Sequence, residues 1–140
     1  VLDWEMATLG DPLMDLGSAL AYWIQEDDDA LMKSSRRQPT HLKGMLTRQQ
    51  VVDYYLDKTG LQPENWAFYE VFGLFRLAVI AQQIYYRYYH QQTDNPAFKD
   101  FWILIHALHI RALKLIAANN AEAQQLIPEY GAKLQDILKR

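Results

Sequence analysis

Hydrophobic residues recur along almost the whole chain after residue 11 with the spacing of amphipathic helices. The first such run has intervals of three and four residues, which place its apolar side chains on one helix face: Leu13, Leu16, Leu20, Trp23 and Ile24. Asp11 and Pro12 predict where this helix begins, because aspartate accepts hydrogen bonds from free backbone N–H groups and proline suits the first helical position. We therefore expect a helix from residue 12 to about residue 25.

Two further helices are predicted by cap signals and by apolar composition. Thr47 and Gln50 have the spacing of a capping box, and Gly60 is typical of a helix that ends in a left-handed residue. From about Trp66 to Gln91 the chain is apolar on nearly every side. We therefore expect this long helix to be central and more buried than the others.

The remaining segments complete an all-helical prediction. Helices are expected from about Ala97 to Ala118 and from Pro128 to the C-terminus, whereas residues 26–46 look irregular. Val1–Trp4 could be the end of a strand, although so short a segment cannot be decided by periodicity. With 140 residues, half of them apolar, the chain is long enough for one folded domain. The sequence thus predicts an all-α bundle of about five helices spanning residues 1–140.

The composition excludes several classes of protein. The absence of cysteine excludes a disulfide scaffold, a thiolate zinc site and a cysteine nucleophile. A net charge of −3 is too small to suggest nucleic acid or an anionic membrane as a partner. Charge-free apolar runs reach about ten residues, whereas a membrane span needs roughly 18. No secretory signal is visible, so we expect a cytoplasmic protein without a membrane segment.

Acidic residues are concentrated at the start of the chain. Residues 1–32 carry eight acids and no base, while the remainder carries 14 bases and nine acids. Carboxylate-rich segments attract hard cations such as Mg²⁺. The run from Glu26 to Asp29 is expected to be a solvated loop, as charge runs usually are. Asp3, Asp11 and Asp15 differ from it because they are embedded among apolar residues.

The stretch LDWEMATLGDPLMDLGSALAYW, at residues 2–23, is the most specific signal in the chain. The carboxyl ends of strands open onto crevices. A carboxylate at such an end, as Asp3 would be, is well placed for a metal-binding or catalytic role. Gly10 permits a tight turn, and Asp15 in the first helical turn interacts favourably with the helix dipole. The residues alone also allow a structural interpretation, with one helix cap, one dipole partner and one incidental acid.

This stretch resembles the second signature of the aminoglycoside phosphotransferase and choline kinase-like family, whose members are relatives of protein kinases. The resemblance rests on Asp3-Trp4, Gly10-Asp11-Pro12 and Asp15-Leu16 with their spacing. The whole stretch looks most like bacterial members related to the phosphotransferase domains fused to acyl-CoA dehydrogenases. The resemblance implies an enzyme that uses ATP and Mg²⁺ to phosphorylate a hydroxyl group of a small molecule. It also implies that Asp3 binds magnesium, that Asp15 braces the catalytic loop, and that Glu5 acts at or near the metal.

The other signature of that family, His-Gly-Asp followed by Asn, is missing. None of the four histidines is followed by glycine, and the six glycines are too scattered for a phosphate-binding loop. The chain also starts without an initiator methionine. We therefore expect the C-terminal helical subdomain of a kinase-like α+β fold, with the catalytic and ATP-binding parts missing upstream. Alone, this chain is expected to be inactive.

Polar residues on the long predicted helix are candidates for substrate binding. Arg76, Gln83, Arg87 and His90 fall within one narrow stripe, which Tyr69 extends towards the helix start. Arginine suits bidentate contact with an anionic part of a substrate. The alternatives are that the stripe is only the solvated face of the helix, or that Arg76 pairs with an acid in the core.

His106 and His109 have the spacing of two metal ligands on one helix. No third ligand is visible nearby in the sequence, and apolar residues share the face of His109. We therefore expect core histidines rather than a metal site.

Two functions from different classes follow from these patterns. The first is the substrate-side part of a small-molecule phosphotransferase, and the second is a non-catalytic helical module for binding or interaction. A His-Gly-Asp motif upstream of Val1 would decide between them. Because the missing catalytic part would leave apolar surface exposed, we also expect a homodimer with residues 1–16 near its interface.

Overall fold

The computed structural model describes residues 9–118 and 120–138. Within those ranges it contains six α-helices and no strand, which confirms the predicted all-α bundle. The helices are α1 (Pro12–Ala21), α2 (Ala30–Ser34), α3 (Arg48–Thr59), α4 (Trp66–Tyr89), α5 (Phe101–Ala117) and α6 (Ala121–Leu138), with a 3-10 turn at Pro96–Phe98. The predicted strand end at Val1–Trp4 lies outside the described residues.

The predicted helix boundaries are confirmed where side chains cap the backbone. Asp11 Oδ1 accepts a hydrogen bond from the backbone N–H of Leu13 at 2.9 Å and begins α1. Thr47 and Gln50 form the reciprocal capping box that begins α3. Gly60 ends α3 with φ of 70°, a left-handed conformation that glycine adopts without steric cost.

Four boundary predictions are wrong. Helix α1 ends at Ala21 and not near residue 25, and α5 begins at Phe101 and not near Ala97, because residues 96–98 form a separate 3-10 turn.

Residues 26–46 are not wholly irregular, because Asp29 accepts a hydrogen bond from Met32 N–H and thereby caps the short helix α2. Helix α6 begins at Ala121 and not at Pro128. The cause is Asn120, whose side-chain oxygen accepts from the N–H groups of the second and third residues that follow it. Pro128 thus lies inside α6, where it removes one backbone donor without ending the helix.

Helix α4 is central but less buried than its composition predicts. It packs against α1 on one side and α5 on the other. The core at this junction is formed by Ala21, Ile24, Met32, Leu74, Ala107 and Leu108. In α4 itself only Gly73, Leu74 and Ala81 are buried, whereas Phe75 is 63% exposed. Two neighbouring helices cannot cover an apolar surface that runs around the whole circumference, so the predicted depth of burial is wrong within the described part of the chain.

Among the described helices, α4 is also the one that passes a length and composition test for a membrane span, with a mean hydropathy of 1.2. A core helix that is apolar all round passes the same test. Glu70, Arg76 and Arg87 interrupt its apolar surface. The expectation of a chain without a membrane segment stays a prediction.

Helices α1 and α4 approach each other through glycine. A Cβ atom on Gly17 of α1 would lie 2.2 Å from the carbonyl oxygen of Tyr69, so no larger residue fits between the two backbones. This close packing brings the beginning of α4 next to the turn that precedes α1. The turn at Asp11 and the first turns of α4 therefore meet at one end of the bundle.

Candidate functional site

The turn before α1 is tied to α4 by a hydrogen bond between side chains. Tyr69 OH donates to Asp11 Oδ2 at 2.7 Å across 58 residues of sequence. The other carboxylate oxygen, Asp11 Oδ1, caps α1 through Leu13 N–H. The pKa of Tyr69 is raised, first because its hydroxyl donates to Asp11, and further by burial and by the negative charges of Asp11 and Glu64.

A cleft of about 440 Å³ opens beside this hydrogen bond. Its walls come from Asp11 and Leu13, from residues 61–65, and from the first turn of α4 with Phe68 and Tyr69. The polar groups among the lining residues are carboxylates, amides and the tyrosine hydroxyl, and none of them is a cation. Because these groups mostly accept hydrogen bonds, the cleft suits a small molecule that carries hydroxyl or amino groups.

The predicted catalytic and metal residues fall partly outside the described ranges. Asp3 and Glu5 lie among residues 1–8, which are not described. Asp15 is placed in the first turn of α1 with its side chain exposed, which fits its predicted interaction with the helix dipole. Its role in bracing a catalytic loop stays a prediction.

The predicted substrate residues Arg76, Gln83 and Arg87 are exposed along α4. None of the three lines the cleft beside Asp11. Arg76 makes no ion pair with any residue in the described ranges, so the described structure does not support the alternative of a core acid for it. Gln83 borders a separate, mainly apolar groove of about 470 Å³ between α4 and α5. Among the residues of the stripe, Tyr69 alone lines the cleft.

One cluster of charged residues was missed by sequence reasoning. Asp28 accepts hydrogen bonds from Arg48 Nη1 and Nη2 at 2.6 and 2.8 Å, and Arg111 Nη1 lies 3.4 Å from Asp28 Oδ1. The Asp28 side chain is 10% exposed. The prediction of a solvated loop at Glu26–Asp29 is therefore wrong for Asp28, because it pairs with two arginines that α3 and α5 bring inward.

The electrostatics of this cluster follow from burial and pairing. Burial alone would raise the pKa of Asp28, but the hydrogen bonds from Arg48 and from Gln25 N–H and the two arginine charges together bring its pKa below the ordinary value. The pKa of Arg111 is lowered by burial and by the charge of Arg48. A sequence signal existed, since Arg111 is the one charged residue other than histidine between Phe101 and Leu113. A lone arginine on an apolar helix requires an acidic partner.

The two histidines of α5 contact Tyr130 of α6. His106 Nδ1 and Tyr130 OH form a short hydrogen bond, and the ring of His109 lies 4.3 Å from the Tyr130 ring centroid. Within the described ranges no group of three or more His, Asp or Glu residues could hold a metal. For His106 the expectation of a satisfied core histidine fits this geometry, whereas His109 is exposed.

Comparison with known proteins shows a phosphotransferase-like segment that includes Asp11 and Leu13 of the cleft but not its walls at residues 61–69. Residues 1–48 match the sequence model of the phosphotransferase enzyme family. The matched segment contains the whole opening motif, the Asp11 turn, α1 and α2. The predicted resemblance is therefore confirmed. No solved structure matches the chain significantly.

The curated relatives are acyl-CoA dehydrogenase family members that are much longer than this chain. The chain is 38% identical over 89 residues to acyl-CoA dehydrogenase family member 10 of Mus musculus, a match that covers 62% of this chain and 8% of that protein. It is 34% identical over 91 residues to acyl-CoA dehydrogenase family member 11 of Rattus norvegicus, covering 63% of this chain and 11% of the relative. The chain thus spans about a tenth of the length of the curated relatives it matches.

Proposed function

We propose that this chain is the substrate-side helical part of an ATP- and Mg²⁺-dependent phosphotransferase that phosphorylates a hydroxyl group of a small molecule. The observation that carries the proposal is the match of residues 1–48 to phosphotransferase enzymes. In support, the described end of that motif forms a turn beside an open cleft with both polar and apolar walls. A nucleotide-binding part and an aspartate that accepts the proton of the substrate hydroxyl are supplied from outside this chain.

The carboxylates of the opening motif divide into two roles. Each oxygen of Asp11 accepts a hydrogen bond, one from Leu13 N–H and the other from Tyr69 OH, and we assign Asp11 to holding the turn. Asp3 and Glu5 supply the oxygen ligands that Mg²⁺ prefers. Bound magnesium neutralises the charge of the transferred phosphoryl group. Asp15 braces the catalytic loop from the first turn of α1.

The exposed arginines of α4 are proposed to hold an anionic part of the substrate. Arg76 and Arg87 are free of ion pairs within the described structure, so their guanidinium groups are available to a ligand. Gln83 lies between them in sequence and adds a neutral hydrogen-bonding group. Charge-assisted contacts of this kind contribute about 1.5–3 kcal/mol each to binding.

We also propose that the protein is located in the cytoplasm.

The test uses the complete phosphotransferase that contains this segment. Asp3→Asn should abolish phosphate transfer from ATP while the circular dichroism spectrum is unchanged, because a neutral amide replaces a magnesium ligand. Asp94→Asn, at an exposed aspartate in the loop that follows α4, is the matched control and should retain activity. Full activity in the Asp3 variant would remove that residue from the site.

The substrate residues are tested separately. Arg76→Ala should raise KM for the hydroxyl substrate and leave KM for ATP nearly unchanged. An equal loss for both ligands would contradict a substrate contact. If the complete protein carries no upstream His-Gly-Asp motif and transfers no phosphate, the non-catalytic helical binding module becomes the better description.

A further inference from the structure

We propose that a second cleft, which lies against α2, α4 and α5, binds a free α-amino acid with an apolar side chain. The cleft has a volume of about 410 Å³, within the range of roughly 300–1,000 Å³ that is typical of small-molecule sites. It shares no lining residue with the cleft beside Asp11. The inference therefore does not depend on phosphate transfer.

The walls of this cleft combine an apolar surface with six charged side chains. The apolar part consists of Leu31 of α2 and of Ala107, Ile110 and Leu115 of α5. The charged part consists of three acids and three bases: Asp28, Asp29, Glu70, Arg48, Arg111 and Lys114. The lining residues of α5 recur at intervals of three and four residues, so they share one helix face. A ligand in this cleft contacts apolar and charged groups at the same time.

Three of the six charged side chains already have close partners inside the protein. Arg48 donates from both Nη atoms to Asp28, at 2.6 and 2.8 Å, and from Nη1 also to the carbonyl oxygen of Trp23 at 2.7 Å. Asp29 Oδ1 accepts from Met32 N–H at 3.0 Å and thereby caps α2. These contacts stabilise the fold, and they leave one acid and two bases for a ligand.

The first of these bases, Arg111, presents unused donors to the cleft. Its guanidinium group has five N–H donors, and Nη1 lies 3.4 Å from Asp28 Oδ1 as an ion pair. In the described part of the chain the buried side-chain nitrogens without a partner are Arg36 Nε and His41 Nδ1, and no nitrogen of Arg111 is among them. The remaining donors of Arg111 therefore reach the cleft that its side chain lines. Such a planar fork of donors suits a carboxylate.

Lys114 and Glu70 add one charge of each sign to the same wall. Lys114 lies three residues after Arg111 on α5 and is exposed, while Glu70 lies on α4 and is half-buried. Neither forms an ion pair with another of the described residues. The pKa of Arg111 is lowered by burial and by the charge of Arg48, and the charges of Asp28 and Glu70 act in the opposite direction. Glu70 is thus near enough to Arg111 for one ligand to meet both.

These three side chains define the charges of the ligand. A carboxylate fits Arg111 and Lys114, and an ammonium group fits Glu70. A simple anion such as phosphate would meet Glu70 as a like charge, and a simple amine would meet two cations, both of which are unfavourable. A free α-amino acid carries a carboxylate and an ammonium group on one carbon, whereas the end of a peptide carries only one of the two. An apolar side chain on that carbon would pack against the wall at Leu31 and Ile110.

Isothermal titration calorimetry of the complete protein with leucine, in the absence of ATP and Mg²⁺, tests the proposal. Leucine should bind. 4-Methylpentanoate, which lacks the ammonium group, and 3-methylbutylamine, which lacks the carboxylate, should bind at least about tenfold more weakly, as expected for a lost charge-assisted hydrogen bond. Absence of leucine binding at about 10 mM, where millimolar affinity is detectable, would overturn the proposal. An equal or higher affinity for 4-methylpentanoate or inorganic phosphate would also overturn it, because it would indicate a general anion site.

Two variants locate the site without breaking the pair of Asp28 and Arg48. Lys114→Met should weaken leucine binding by about two- to fivefold, as for an exposed ion pair. Glu70→Gln should weaken leucine binding at least about tenfold, but it should leave the affinity for 4-methylpentanoate unchanged or higher, because the like charge is removed. Lys99→Met, at an exposed lysine before α5, is the matched control and should bind leucine as the native protein does. Equal leucine affinity in all three variants would place the site elsewhere and refute the proposal.

Arg111→Gln should abolish leucine binding. Because this substitution also removes one partner of Asp28, its circular dichroism spectrum and urea midpoint are measured alongside. Leucine binding that persists in the folded variant would contradict the proposal. If the variant does not fold, the Lys114 and Glu70 variants decide the question.

Discussion

Gly73 of α4 lies directly against Gly17 of α1, so that a Cβ atom on Gly73 would be 2.1 Å from the Gly17 carbonyl oxygen. It would also lie 2.9 Å from the backbone nitrogen of Ser18. The distance between packed helices depends on the side chains at their contact. With glycine on both sides the two backbones touch, and this contact places Tyr69 within reach of Asp11.

Gly73→Ala should destabilise the chain despite the better helix propensity of alanine. The added methyl group meets backbone atoms that cannot rotate away, so the helices must separate, at a cost of about 1–3 kcal/mol. Urea unfolding followed by circular dichroism measures the change. Gly131→Ala is the control, because a Cβ atom there meets nothing within 4 Å on helix α6. It should be neutral or stabilise by up to about 1 kcal/mol. A gain in stability for Gly73→Ala would refute the close crossing.

Asp28→Asn should lower the unfolding free energy more than most single substitutions of a polar residue. The amide carries no charge to offset those of Arg48 and Arg111, whose side chains are 18% and 15% exposed. We expect a loss of about 3 kcal/mol in unfolding free energy, near the lower end for a broken buried ion pair, because the cluster borders a solvent-open cleft. Asp27→Asn, one residue away and exposed, should change stability by less than about 0.5 kcal/mol. Equal effects for the two variants would mean that Asp28 is solvated after all.

The same cluster should make the chain sensitive to acid. The pKa of Asp28 in the folded chain is below its ordinary value of 3.8. A carboxyl group of this kind stabilises the fold at pH above its unfolded pKa, and the contribution is lost as the pH falls through its folded pKa. The unfolding free energy of the native chain should therefore fall below pH 3.8 more steeply than that of Asp28→Asn. Parallel curves for the two proteins would contradict this assignment.

We expect the contact between α5 and α6 to weaken at mildly acidic pH, because protonation of His106 is unfavourable in the folded chain. Burial, and then the charge of His109, lower the pKa of His106 below 6.5. The folded chain therefore binds fewer protons than the unfolded chain, and stability present above pH 6.5 is lost as the pH falls through the folded pKa. Urea midpoints at pH 7.5 and 5.5 should differ more for the native chain than for His106→Gln. His90→Gln, at an exposed histidine, should behave like the native chain.

Self-association is expected through an apolar stripe on α4. Phe68, Phe75, Val79 and Tyr86 are exposed and are spaced by seven, four and seven residues, so they share one helix face. The sequence predicts residues 1–16 near the dimer interface, but only residues 9–16 of that segment are described. We therefore base this prediction on the stripe of α4. Sedimentation at micromolar concentration should show a dimer that Phe75→Glu dissociates. Tyr54→Glu, at an exposed ring on α3, should leave the dimer intact. A monomeric native chain would end the homodimer proposal.

The sequence by itself determined the helical class, the best-capped helix boundaries and the phosphotransferase resemblance. Each of these depends on residues close together in the chain. Asp11 caps the N–H of Leu13, two residues on, and Thr47 pairs with Gln50, three residues on. The beginning of α6 also has a local signal, because Asn120 Oδ1 accepts from Glu122 N–H and Ala123 N–H, although the sequence analysis placed that beginning at Pro128.

The tertiary structure alone decided which polar residues act together. Asp28 looked like one member of a solvated acidic run until α3 and α5 brought Arg48 and Arg111 to it. Tyr69 looked like part of an exposed stripe, yet the glycine crossing of α1 and α4 directs its hydroxyl to Asp11. Helix caps follow from short-range backbone geometry, which local sequence encodes, whereas partners distant in sequence depend on how helices cross and how closely their backbones approach.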